Sequence, residues 1–178
     1  GFTIRNADAL RRLYAASPVL CNLSGHIHIQ HMGQTDSGLW DIATSSLAVS
    51  PNQYGVLTLT ADELAYRTES VRTADWAASR RLSDPNLLDF AAYSADFFRA
   101  CSIRQALAAV SGDDAPEQLA DYFAAANAAY FAGRMDAFAR DDALEQRWQA
   151  QTGFLAVYLA DILKEAPRNH CALTVPLP

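Results

Sequence analysis

The chain is short of positive charge, and what there is comes almost wholly from arginine: Lys164 is its one lysine, against 14 lysines and arginines together and 20 acidic residues. A net charge of -6 and a pI near 5.0 exclude a nucleic-acid backbone as the main partner, because that footprint requires clustered Lys and Arg. The arginine excess reads as composition bias and carries no functional meaning. No apolar run approaches the roughly 18 residues of a membrane span, and the first residues lack a signal-peptide pattern, so the expected setting is cytoplasmic. Cysteine is scarce as well. Cys21, Cys101 and Cys171 are odd in number and lack a Cys-x-x-Cys pair, which favours reduced, buried thiols over a disulfide framework. Asn22-Leu23-Ser24 matches a glycosylation sequon, but inside a run that reads as a buried strand.

What remains is an ordinary globular composition, 51% hydrophobic and 19% charged over 178 residues, long enough for a core of its own. The expected fold class is α+β, a short β meander followed by an α-helical bundle, divided as residues 1–72 and 73–178. In the first part, Ala7 to Ala16 has Leu10, Leu13 and Tyr14 at helical spacing, and the apolar run from Pro18 to Leu23 reads as a buried strand. His31 to Gly38 reads as a polar loop. Strands are then expected near Trp40 to Val49, Tyr54 to Leu59 and Leu64 to Val71, with turns at Ser50-Pro51-Asn52-Gln53 and Thr60-Ala61-Asp62-Glu63.

From about Ala74 the pattern is alanine-rich and helical. Asp84-Pro85 is a cap with a first-turn proline, Asp113 to Pro116 opens another helix that Gly133 closes, and further helices are expected over Met135 to Trp148 and Gly153 to Glu165. These segments can pack as a bundle. The region reads as a cap, a docking module or an association surface, including one for a second copy of the chain, because Trp76, Trp148 and many Phe and Tyr exceed what one small bundle must bury. The tail from Leu173 to Pro178 reads as extended and laid along a neighbouring surface. No repeat supports a solenoid.

The clearest chemistry is Ser24-Gly25-His26-Ile27-His28-Ile29-Gln30. Along a strand, side chains two residues apart share a face, roughly 6–7 Å apart at the backbone. Two imidazoles so placed can converge on one metal ion, or serve two ions on the order of 3.5–4 Å apart. Gly25 lets the backbone turn or a ligand approach closely. His31, at an odd offset, faces away on a regular strand and is a candidate substrate contact. His170 is a lesser candidate ligand. A cupin would want a Glu just after the pair, and none occurs before Glu63. An amidohydrolase barrel would need roughly 200 residues afterwards, more than follow here. A zincin would need His-Glu-x-x-His, which is absent.

Ser24-Gly25-His26-Ile27-His28 resembles the last motif of the calcineurin-like metallophosphoesterases, and the stretch from Asp41 to Val56 is similar to the strands that follow it in a bacterial branch. The resemblance covers residues 1–72. It implies a β-sandwich flanked by helices, of which the meander would be a part. It also implies two divalent metals (Mn, Fe, Zn, Co or Ni), one held by His26 and the other by His28, and a metal-bound hydroxide attacking phosphorus. Asp36 and Asp41 are then candidate partners that orient the ligands, and Ser45, Ser46, Asn52 and Gln53 candidate substrate contacts beside His31. The family's Asp-x-His, Gly-Asp, Gly-Asn-His and single-His motifs all precede Gly-His-x-His, yet none occurs among the 24 residues ahead of Gly25. The expectation is therefore the C-terminal segment of a longer metal-dependent phosphoesterase of mono- or diesters. By itself the segment would bind no metal tightly and be inactive, its partners being the upstream remainder and a phosphoester substrate. The rival readings are a non-catalytic helical interaction module with a vestigial metal site, and a small stand-alone metal-binding protein.

Overall fold

A computed structural model describes residues 5–177. Among these the chain forms seven α-helices, a 3-10 turn and two three-stranded sheets, a mixed α+β architecture. The helical region lies C-terminal as expected, while a metallophosphoesterase sandwich is not what the two sheets establish. No helix among the described residues is long and apolar enough to cross a membrane.

The first sheet contains β1 (Cys21–Ser24), β2 (His31–Gln34) and β3 (Trp40–Ala43) in the order β1-β3-β2, with β1 parallel and β2 antiparallel to β3. It is preceded by α1 (Ala7–Ala15). A parallel pair cannot be closed by a tight hairpin, so this part is not the simple meander expected. The segment read as a loop after the histidines is itself β2, turned back by Thr35–Gly38, where Gly38 N–H reaches the Thr35 carbonyl. The strand expected to reach Val49 stops at Ala43.

Strand periodicity gives this sheet two unlike faces. The register pairs Cys21 with Trp40, and Ile42 with both Leu23 and Met32. From this face Met32 and Ile42 form a buried cluster with Tyr66, packed by Cys21, Trp40 and Leu173. The opposite face carries Asn22, Ser24, His31, Gly33, Asp41 and Ala43.

The second sheet is antiparallel, β4 (Gln53–Leu59), β5 (Glu63–Ser70) and β6 (Ala172–Pro176) in that order. β6 is the apolar tail. It covers no separate surface but returns from the helical region to pair Glu63 through Arg67 of β5. Gly55 is required beside Tyr66: a Cβ there would lie 2.5 Å from the tyrosine ring.

Between β5 and β6 run α2 (Thr73–Ser79), α3 (Pro85–Leu88), α4 (Phe90–Ala109), α5 (Pro116–Phe131), the 3-10 turn Met135–Ala137, α6 (Asp142–Gln149) and α7 (Phe154–Lys164). Asp84 caps α3 by accepting from Asn86 N–H, with Pro85 in the first turn. The single helix expected over Met135 to Trp148 is two pieces. Between them Arg140 turns in to pair with the nearly buried Glu145, which also accepts from the Tyr122 hydroxyl at 2.6 Å.

Alanines at Ala106, Ala120, Ala124 and Ala126 are fully buried and bring α4 and α5 together, and Phe123, Trp148 and Leu159 fill the space beside them. Polar atoms in this core are paired. Trp148 Nε1–H reaches the Leu119 carbonyl at 3.0 Å, and Asn127 donates to Ser102 and accepts from Tyr158. Arg140 and Tyr122 hold the Glu145 carboxyl below its ordinary pKa, and Arg147 does the same for Asp113 ahead of α5.

Phe123→Ala removes the largest fully buried side chain, and it should cost about 3–5 kcal/mol in urea unfolding. Because Glu145 and Asp113 have depressed folded pKa values, their contribution is complete above the unfolded carboxylate range and is lost as pH falls through the folded values. Thermal stability should therefore decline below about pH 4, and less so in Glu145→Gln, which a melting series read by circular dichroism would detect.

Candidate functional site

The two histidines of the Gly-His-x-His motif lie just past the end of β1, and both are exposed. Their backbones take φ of 85° at His26 and 61° at His28. Left-handed conformations at two non-glycine residues so close together interrupt the strand, so the face-sharing argument for their spacing does not apply. Strain of this kind, on the order of 1–3 kcal/mol per residue, concentrates at functional sites. Neither histidine belongs to a group of three or more potential ligands among the described residues.

The other expected contacts scatter. Asn52 is buried with φ of 57°, its amide donating to the Leu47 carbonyl and its backbone to and from Val49 and Val71, so it builds the turn before β4. Ser46 accepts from Ala48 N–H. Ser45 Oγ and Gln53 Oε1 are buried without hydrogen-bond partners. Asp36 sits in the exposed turn after β2. Asp41 accepts from Asn22 Nδ2 at 2.6 Å and from Ser24 Oγ at 3.4 Å, on the polar face of the first sheet.

His31 and His170 do come together. Their rings stack with centroids 4.6 Å apart, and Glu165, just past α7, places Oε1 2.7 Å from His31 Nε2 and 3.0 Å from His170 Nε2. Among the described residues this is the one group of three whose ligand atoms lie within 4.8 Å of one another. Spacing could not have found Glu165, which stands 134 positions from His31.

The surroundings fix the protons. His170 is 4% exposed, and the Met32 backbone N–H donates to its Nδ1 at 3.0 Å. A nitrogen that accepts cannot also carry the proton, so neutral His170 is protonated at Nε2, facing Glu165. Burial, with repulsion from His31, holds its pKa below the ordinary histidine value. A metal would ask the reverse, coordination at Nε2 with Nδ1–H donating outward. The cluster thus fits two imidazoles sharing a carboxylate better than a resident cation. Burial, and then the Glu165 charge, raise the Tyr130 phenol above its usual range, which sets Tyr130 at the margin of this group.

Residues 73–169 match the family described as the C-terminal domain of cyclic nucleotide phosphodiesterase. The match spans more than half of the chain, and the chain belongs to this family. No curated protein matches it. The family found is not the calcineurin-like metallophosphoesterases, and the resemblance read from Ser24 to His28 is corrected on that ground. The function built on it, phosphoester hydrolysis through a dinuclear metal centre, falls with it. A phosphodiesterase, and hence hydrolase, parent is supported at that level, while metal dependence is not.

His170 is buried neutral but titrates near its ordinary value when unfolded. Its depressed folded pKa makes the associated stability complete above about pH 6.5 and lost as pH falls through the folded value. The melting temperature should therefore drop between pH 7.5 and 5.5, and the drop should shrink in His170→Gln, as differential scanning calorimetry would show.

Proposed function

We propose that this chain serves as the C-terminal part of a phosphodiesterase acting on cyclic nucleotides. The helices between β5 and β6 pack on the two sheets, and His26 and His28 face the reacting end of the substrate while His31 contacts the rest of it. The observation that carries this reading is the family match over residues 73–169.

The geometry gives the helical domain a role other than that of a loose appendage. The Gln30 backbone N–H reaches the Phe131 carbonyl at the end of α5, and Gln30 Nε2 reaches the His170 carbonyl at 2.8 Å. These contacts hold the start of β2, three residues beyond His28, against the helices. His26 and His28, with left-handed backbones, follow directly on β1 of the same sheet, and the remaining catalytic groups would come from the rest of the protein.

The full-length gene product should hydrolyse 3′,5′- or 2′,3′-cyclic nucleotides, with nucleoside monophosphate release followed by chromatography. His26→Ala and His28→Ala should each lower kcat by on the order of a hundredfold or more, the usual scale for losing a positioned proton-transfer or ligating group. Turnover of bis-p-nitrophenyl phosphate with every cyclic nucleotide left intact would overturn the reading.

A further inference from the structure

The polar face of the first sheet is built as a floor. Strand register alone puts Asn22 and Ser24 of β1, Asp41 and Ala43 of β3, and His31 and Gly33 of β2 on one side. The inner positions are small, with Gly33 leaving 3.8 Å between the site of a Cβ and His31 Cε1. Above this floor lies a cavity of about 500 Å³, walled by α1 and Tyr130 and lined also by Arg11. That volume lies in the range of small-molecule sites, which combine apolar walls with a few convergent polar groups.

The polar groups here are of defined kind. The Glu165 carboxylate accepts from His31 Nε2 at 2.7 Å, while His170 Nε2 lies 3.0 Å from the same oxygen without the alignment of a hydrogen bond, so in its neutral form His31 carries its proton on Nε2. Its Nδ1 is then an acceptor, and no described residue donates to it. Asp41 is a second acceptor, already held in place by Asn22 and Ser24. Two acceptors on the floor call for a ligand rich in hydroxyl or amino donors. The lining also includes Arg11, a cation 3.6 Å from the Asp8 carboxylate, and the aromatic Tyr130.

We infer that this cavity binds the nucleoside part of a nucleotide. His31 Nδ1 and the Asp41 carboxylate accept from the sugar hydroxyls, Arg11 faces the phosphate, and Glu165 acts as a positioning residue that sets the His31 tautomer from the end of the helical domain. The inference rests on the proposed function for its ligand class, and on the sheet register and the cluster for its place.

The test titrates this chain with adenosine 5′-monophosphate, and separately with adenosine and with inorganic phosphate, while imidazole 15N shifts are recorded. The expected result is a His31 ring protonated at Nε2, whose Nδ1 signal moves with the monophosphate and with adenosine but not with phosphate alone. Asp41→Asn and His31→Ala should each weaken the monophosphate on the order of tenfold, as for one lost hydrogen bond to a charged or oriented acceptor. Glu165→Gln should weaken it less and move the His31 proton between nitrogens, a change that a merely structural role would not produce. A His31 ring protonated at Nδ1, saturation of the same signals by phosphate alone, or unchanged affinity in folded Asp41→Asn would overturn the inference. Cyclic nucleotide turnover by the full-length product reports on the proposed function separately: binding here without turnover sinks that reading, and turnover without binding here sinks this one.

Discussion

The structure depends on the burial of one polar strand end against the helices. Gln30 is 1% exposed, and a buried amide is tolerated only when its donors and acceptors are matched. Its backbone donates to Phe131, its Nε2 donates to the His170 carbonyl, and its Oε1 accepts from the Tyr66 hydroxyl. Tyr66 belongs to the second sheet, Phe131 to the end of α5, and His170 to the segment leading into β6. One side chain and its backbone thus join both sheets to the helical domain. The approach is close because Gly133 has φ of 68° and no Cβ; a methyl there would lie 2.8 Å from the Gln30 carbonyl oxygen. Gly133 both ends α5 and makes room for the contact.

The same junction explains how a histidine comes to be buried. The His170 backbone N–H reaches the Gly133 carbonyl, and its Nδ1 receives the Met32 N–H. Met32 stands next to His31 in β2, so successive residues of one strand address opposite sides: Met32 joins the apolar cluster, and His31 turns to Glu165 and the polar floor. Any slip of β2 by one residue would exchange the two faces. The Gln30 contacts preceding the strand make such a slip costly.

The helical region was legible because its signals are local. Asp84-Pro85, the proline of α5 and Gly133 mark ends by mechanisms that involve only near neighbours, and the apolar stripes repeat at helical spacing. The break between Met135–Ala137 and α6 was not legible, since it follows from Arg140 reaching Glu145 and the Leu163 carbonyl. β2 was hidden for a related reason: four residues, His-Met-Gly-Gln, carry one apolar side chain and a glycine, and only pairing with β3 reveals them as a strand. β6 could be read as extended, but not as a partner of a strand that ends 102 positions before it begins, at Ser70 and Ala172 respectively. The His31–Glu165–His170 group has the same character. Each residue alone carries little meaning, and the fold supplies all of it.

Histidine motifs draw attention to metals because imidazole is a good ligand, yet an imidazole's role is decided by what meets its second nitrogen. At His170 that partner is a main-chain donor fixed by a strand, and it cannot be exchanged for an acceptor without unmaking the strand's contact with the helices. A proton is therefore held at Nε2 by the fold itself. Glu165 accepts the His31 Nε2 hydrogen bond and places the same oxygen 3.0 Å from His170 Nε2, so one carboxylate stands against both rings. Contacts run from the buried backbone of Met32, through His170 and Glu165, to a half-exposed His31 on the polar face, so the residue just past α7 touches the floor of the sheet. These contacts, with those of Gln30, tie the helices to the sheets beside which the remaining histidines lie.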